Sequence, residues 1–370
     1  MQLKISYLLC ATVILGVSFL NPAPVLAASL YKITLLGTLG GDTSSAVSTN
    51  NSGQVAGYSD TAEGDRRAFV YDGELKDLGT LGGDSSAAYS INEKGQLTGN
   101  SLTADGQTHA FLYSDGKMTD IGSLGGGFSE GWGINNDGAI VGNSTATADG
   151  PSVTFLYKDG VMSNIGTLGG EFGNGESINN KGQIAGDANT ASGDYHAFVH
   201  EKGVNKDIGT LGGELSESRE INDKGWITGY SMTENGDIHA FLYDGDAMID
   251  LGTLGGSYSN GEGISSTNQI VGYSSDAAGQ DLAFYWDEQG GMVDLNSLIS
   301  PYDPLKDVVQ LQYAYGISPD GRHIVGQALV DGNLQAYQIS AVPLPAAVWV
   351  FGAALGGLGY FVRRRKKLQG

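Results

Sequence analysis

The chain has 370 residues and carries 20 Lys and Arg against 41 Asp and Glu, a formal net charge of −21. That acidity excludes nucleic acid as a partner, because one polyanion repels another. The single cysteine, Cys10, excludes a disulfide scaffold and any multi-cysteine zinc site. Apolar residues make up 40%, enough for a core, and 59 glycines with 8 prolines fall short of a structureless low-complexity composition.

The chain opens on Lys4 and an apolar stretch from Ile5 to about Leu20, followed by Val25-Leu26-Ala27. Small residues at the positions read by signal peptidase define a secretory signal peptide over residues 1–27, cut between Ala27 and Ala28. Cys10 lies inside it, and Leu9 stands where a lipoprotein signal needs a small residue.

An internal repeat fills the middle of the chain, residues 28–341. LGTLGG or a near copy starts at Leu36, Leu78, Ile121, Ile165, Ile208 and Leu251, with a worn copy at Leu295, in steps of 42 to 44 residues. Ile-Asn-x-x-Gly or a variant follows 13 residues after each of the first six. A Val-Gly or Thr-Gly pair and then His-Ala-Phe or a relative complete each unit. The segments are short, apolar or alternating, and bounded by Asn-Lys-Gly or Asp-Gly turn signals, so each unit predicts four short strands. The glycine excess reads as turn chemistry written once per repeat.

About 43 residues and four strands is the size of one β-propeller blade. Tyr31 to Gly37 matches the last strand of a unit, whereas Tyr315 to Ile339 supplies three strands and lacks the fourth. One plus three makes a full blade, so the sequence predicts an all-β, seven-bladed β-propeller closed by pairing of the N-terminal strand. The alternative is an open β-solenoid, which would need capping repeats. The LGTLGG, IN-x-x-G and HAF motifs together resemble the HAF-repeat extracellular proteins over roughly residues 33–340. The resemblance implies an exported repeat domain and brings no catalytic residues with it.

Chemistry is sparse. His109, His196 and His239 open the HAF motif in three units and are expected to hydrogen-bond within their own blades. Asp42, Asp84, Glu171 and Glu214 follow the glycine pair and are expected near one rim. A ring of such acids would offer calcium its oxygen ligands, against the plainer reading of a solvated acidic rim. Otherwise no cofactor is expected. One column differs from unit to unit: Val47, Tyr89, Trp132, Glu176, Arg219, Glu262 and Tyr315, each two residues before the Ile or Thr of the second motif. Framework columns solve one packing problem repeatedly and stay alike. A column mixing aromatic rings with both charge signs, on the innermost strand near the channel, is where a binding surface can be written. The other reading is alternate filling of the gap between blades. Nine extra residues lie between Leu295 and Ile317, and this insert carries Asp303, Lys306 and Asp307.

The chain closes on Val342-Pro343-Leu344-Pro345-Ala346, an apolar run to Val362 and five basic residues at 363–367. Residues 346–362 are just long enough for a membrane-spanning helix with its basic end on the cytoplasmic side. This order over 342–370 resembles the VPLPA variant of the PEP-CTERM sorting signal. The resemblance implies processing by an exosortase-type membrane protease and display on, or release from, a Gram-negative envelope. The expected function is a non-enzymatic surface or matrix module binding exopolysaccharide or an envelope protein. The alternative is a propeller-scaffold polysaccharide lyase or glycosidase using the insert's two carboxylates.

Overall fold

The structure, a computed structural model, describes residues 30–342. The signal peptide with its Ala27–Ala28 cleavage point, and the sorting motif beyond Val342 with its span at 346–362, lie outside the described residues. Among the described residues no helix is long and apolar enough to cross a membrane.

The chain is a succession of short antiparallel strands. β1 is Tyr31–Gly37. The first complete unit is β2 (Gly40–Thr49), β3 (Val55–Thr61), β4 (Arg66–Tyr71) and β5 (Leu75–Asp77). The second is β6 (Gly82–Ile91), β7 (Leu97–Thr103), β8 (Thr108–Ser114) and β9 (Lys117–Asp120), and the third is β10 (Ser129–Ile134), β11 (Ile140–Thr145), β12 (Ser152–Lys158) and β13 (Val161–Gly166). Then come β14 (Gly169–Ile178), β15 (Ile184–Thr190), β16 (Tyr195–Glu201) and β17 (Val204–Asp207), followed by β18 (Gly212–Ile221), β19 (Ile227–Thr233), β20 (Ile238–Tyr243) and β21 (Met248–Asp250). β22 (Gly255–Ile264), β23 (Ile270–Asp276), β24 (Asp281–Asp287) and β25 (Gly291–Asp294) precede a short 3-10 turn, Leu295–Leu298, and β26 (Gln310–Ile317), β27 (His323–Val330) and β28 (Asn333–Ala341) end the array.

Each unit forms an antiparallel sheet in chain order, and the units from β14 to β25 are linked by single parallel bridges, Tyr195–Leu215 and Ile238–Tyr258. The last sheet has the order β1-β28-β27-β26, with β1 antiparallel to β28 from Tyr31–Ala341 to Leu35–Tyr337. β1 therefore takes the edge place that β5, β9 and β13 take in their own sheets.

Local chemistry explains the strands. At Asp115-Gly116 both residues have positive φ, 53° and 78°, as the tightest hairpin turn requires. The HAF phenylalanines Phe69, Phe111, Phe155, Phe198, Phe241 and Phe284, with Tyr337 in the last sheet, are the largest fully buried side chains of the core. The asparagines of the second motif act twice. Asn92 Oδ1 accepts from Lys94 N and Gln96 N at 3.0 Å, holding its own turn, while Nδ2 donates to Asn135 O of the next unit at 2.8 Å. Asn50, Asn135, Asn179 and Asn222 repeat that donation to the following unit. First-strand serines add a second tie. Ser86 Oγ donates to Gly79 O at 2.6 Å and accepts from Ala68 N of the preceding unit at 2.9 Å. The same serine tie, Ser44 to Ala336 N at 2.9 Å, joins the first unit to the last sheet. Where Gly173 replaces the serine, Thr154 replaces the alanine, and its Oγ1 lies 3.0 Å from where a Cβ on Gly173 would stand.

The insert is a strap over β1. Tyr31 bridges Ile299 in parallel, and Ser300 N donates to Tyr31 O at 2.9 Å. Asp303 is buried, with Oδ2 accepting from Ile33 N and Oδ1 from Leu305 N, both at 2.8 Å. Lys306 Nζ caps Ile299 O at 3.0 Å. Asp303 thus supplies the partner that an edge-strand amide otherwise lacks. Asp303→Ala is expected to cost about 1–3 kcal/mol by orphaning Ile33 N. Native-state hydrogen exchange should show the amides of β1 opening ahead of those of β2.

Candidate functional site

The first strand of every sheet slips by one residue against its neighbour. Ala88 pairs with Gly99 and Ser90 with Thr98, so Tyr89 has no partner in the ladder. The same slip skips Val47, Trp132, Glu176, Arg219, Glu262 and Tyr315. These are the seven residues of the varied column, and each is the extra residue of a β-bulge, a device that bends a strand and re-aims a side chain.

The bulge has a steric partner. It presses the Ala87 carbonyl onto Gly99, where a Cβ would stand 1.9 Å from the oxygen. The corresponding distances at Gly57, Gly142, Gly186, Gly229, Gly272 and Gly326 are 1.8–2.3 Å. None of these glycines has positive φ. The Val-Gly and Thr-Gly glycines are therefore not turn chemistry, and the reading of the glycine excess is corrected there: they admit a backbone atom.

All seven bulged side chains line one central cavity of about 480 Å³. Ser48, Ser90, Ser177 and Glu220 also line a second cavity of about 290 Å³ on the side of the asparagine turns. Six of the seven residues directly after the bulged ones are serine or glycine, and first strands nearly touch here: a Cβ on Gly133 would lie 2.9 Å from Ser177 Cα. Ser90 Oγ accepts from Ile134 N at 3.4 Å, and Glu220 does the same work for Ile264 N at 2.7 Å.

The cavity wall has two characters. Tyr89 and Trp132 stack with ring centroids 4.3 Å apart and planes 20° from parallel, and Trp132 Nε1 donates to Asn143 Oδ1 at 2.9 Å. Tyr315 stacks on Tyr313 at 5.9 Å. Between these aromatic flanks, in chain order, stand Glu176, Arg219 and Glu262. The Arg219 guanidinium is 3.3 Å from Glu217, 3.6 Å from Glu176 and 3.8 Å from Glu262, and lies 5.2 Å from the Tyr230 ring centre. Asn174 donates to Glu176, Asn260 Nδ2 donates to Glu262 Oε1 at 2.7 Å, and Tyr195 donates its hydroxyl to Asp187.

Burial dominates the electrostatics here. It pushes Glu176 up to about 7 against the pull of Arg219, raises Asp187 well above the carboxylate range and raises Glu262. Glu220 is pushed up to about 8, with the Ile264 amide opposing. Burial also disfavours the charge on Arg219, but Glu262, Glu176 and Glu217 outweigh it and raise its pKa.

The six site residues read from the sequence, Tyr89, Trp132, Glu176, Arg219, Glu262 and Tyr315, thus converge. Glu217, Asp187, Tyr195 and Glu220 line the same cavity and were missed. A signal existed for two of them. Glu217 and Asp187 belong to two further varied columns, facing each other across the first and second strands as Asn174–Asp187 and Glu217–Tyr230 do.

Other candidates go elsewhere. Asp42, Asp84, Glu171 and Glu214 are exposed, each on a different first strand, five residues or ~16 Å of strand before the column. Among the described residues no group of three or more His, Cys, Asp or Glu is placed to hold a metal ion, so the calcium reading does not fit these four. His109, His196 and His239 bond Asp120, Asp207 and Asp250 of the adjacent strand at 2.8–2.9 Å. The insert's acids do not face the channel: Asp303 braces β1, Asp307 is exposed, and neither lines the cavity.

Four-stranded antiparallel sheets whose first strands face one cavity make a β-propeller scaffold. No protein family and no curated protein matches the chain. Among solved structures, a Mycobacterium tuberculosis puromycin-hydrolyzing peptidase is similar at TM-score 0.53 and 12% identity, over 87% of this chain and 54% of that one. TolB from Acinetobacter baumannii is similar at TM-score 0.47 and 12% identity, over 82% of this chain and 65% of that one. The WD40 β-propeller domain of Doa1 gives TM-score 0.44 at 13% identity, over 83% of this chain and 96% of that one. This chain therefore spans less than two thirds of the first two. At such identities the likeness is one of fold alone.

Two outcomes follow from the geometry. Gly99→Ala should cost about 3 kcal/mol or more, because the bulge must shift. Gly73→Ala, at φ 79° in open space, should cost only about 1–2 kcal/mol, and urea denaturation of both variants checks the contrast. Glu220 holds its proton to about pH 8 when folded, against 4.5 ordinarily, so its contribution to stability is full below 4.5 and is lost as pH rises through about 8. The melting temperature should fall between pH 5 and 9, and Glu220→Gln should flatten that fall.

Proposed function

We propose that the chain is an exported, seven-bladed β-propeller, closed by its N-terminal strand, that acts as a non-enzymatic binding module and takes a saccharide in its central cavity. The β1–β28 pairing, and the Ser44–Ala336 tie from the first unit to the last sheet, support the closed ring. The signal-peptide pattern and the resemblance of 342–370 to a VPLPA sorting signal support export by signal peptidase and trimming by an exosortase-type protease, with surface display. Six of the 20 basic residues lie in the two terminal segments and none of the 41 acids does, so the propeller would carry −27 and repel nucleic acid.

The observation that carries the reading is the Tyr89–Trp132 stack set beside hydrogen-bonding carboxylates in one cavity of about 480 Å³. An aromatic face covers the apolar C–H face of a pyranose, and adjacent carboxylates and amides take its hydroxyls. The volume falls within the roughly 300–1,000 Å³ of small-ligand sites.

Calorimetric titration with a panel of neutral and charged oligosaccharides tests this. Binding is expected, and Trp132→Ala should weaken it about tenfold, which corresponds to about 1.4 kcal/mol. A folded protein that binds no oligosaccharide, or one whose affinity is indifferent to Trp132, overturns the reading. Chromatography of each oligosaccharide after incubation separates binding from cleavage.

A further inference from the structure

Two buried, unpartnered side-chain atoms lie on the cavity wall, and both are acceptors. Asp187 is 1% exposed and lines the cavity, yet its Oδ1 has no hydrogen-bond partner; only the other carboxylate oxygen is used, by Tyr195. Asn174 Oδ1 is also buried and unpartnered on the same wall. Its amide nitrogen donates to Glu176, which leaves the oxygen without a donor. Asn260 Oδ1 repeats this beside Glu262.

The charge is unbalanced in the same direction. Among the described residues, Arg219 is the one basic side chain on the cavity wall, against Glu176, Asp187, Glu217, Glu220 and Glu262. It reaches three of them at 3.3–3.8 Å, longer than the ~2.7–2.9 Å of a full charge-assisted bond. It makes no ion pair with Asp187. Burying acceptors and carboxylates without donors is costly, and the raised pKa values of Glu176 and Asp187 express that cost. A ligand that relieves it must bring several donors and positive charge. A protonated primary amine brings three N–H donors and no acceptor.

We infer that the ligand of this cavity is an amine-bearing saccharide, whose ammonium group sits among Glu176, Asp187 and Asn174 while its ring lies on the Tyr89–Trp132 stack. The inference rests on the saccharide reading and adds the charged group. Trp132 and Glu176 are bulged residues of successive first strands, so ring and amine would meet adjacent parts of one wall.

The test is calorimetric titration of the purified full chain with four probes: an oligomer of glucosamine, the same oligomer fully N-acetylated, a neutral gluco-oligosaccharide of equal length, and spermidine. The glucosamine oligomer is expected to bind at least tenfold more tightly than its N-acetylated form, and the preference should shrink at high salt. Glu176→Gln should remove most of that preference, weakening the glucosamine oligomer far more than its N-acetylated form. Equal affinity for acetylated and free-amine oligomers overturns the amine and leaves the saccharide reading intact. Binding of spermidine alone, or of none of the probes, overturns both. The comparison among probes is made on the unsubstituted chain, so it holds even if the variant fails to fold.

Discussion

A carbonyl oxygen resting on a glycine Cα is the contact on which the site depends. Side chains on a flat strand alternate between faces, and each residue is committed to the ladder or to the packing between sheets. By pushing one carbonyl inward over Gly99 or its counterparts, the first strand frees one residue from both commitments and turns it toward the cavity. Seven such displacements deliver seven side chains to one cavity. A methyl group at the glycine would close the space the carbonyl occupies, and the side chain would return to the sheet.

That arrangement separates the work of the residues. The buried phenylalanines, the asparagines bonding the next unit, and the serines reaching the preceding alanine build the scaffold and can hardly vary. One of their exchanges is compensated, with Thr154 and Gly173 replacing an alanine and a serine together. The bulged residues meet the cavity instead, so their chemistry is free to differ. The acidic arc goes further and carries an electrostatic burden the scaffold does not need. Buried carboxylates facing one guanidinium are a poor way to fill space, whereas apolar side chains of similar size would stabilise the same strands.

Much of the fold was legible because every unit repeats its own local chemistry. The Asp-Gly hairpins, the HAF strand and the match between Tyr31–Gly37 and the missing last strand each point to the same four-stranded sheet. The column was legible as a contrast: it changes where its neighbours do not. The bulge was not, since the residue it displaces has no composition of its own. The glycine that accommodates it resembled a turn residue until its φ and its contact were known. Asp187 was hidden because it comes to the site from the second strand, by pairing with Asn174. Asp42 and its three relatives read as a site for the same reason in reverse. They recur in step with the repeat, but five residues of strand hold them away from the cavity.

The placement of β1 has a consequence for how the molecule comes into being. Its partner, β28, lies some three hundred residues downstream, and the strap that holds it, at Asp303, is nearly as far. Every other strand finds its neighbour within a hairpin. A ribosome releases β1 first, yet the edge it must join is among the last parts made. Throughout synthesis, Tyr31 to Leu35 remain an unpaired, alternating apolar segment, the kind of edge that recruits stray strands. Contacts this distant in sequence also slow folding, because a long loop must close before they form. Final assembly therefore waits for β28 to become available, and a chain cut short before β28 would leave its first strand without a place to go.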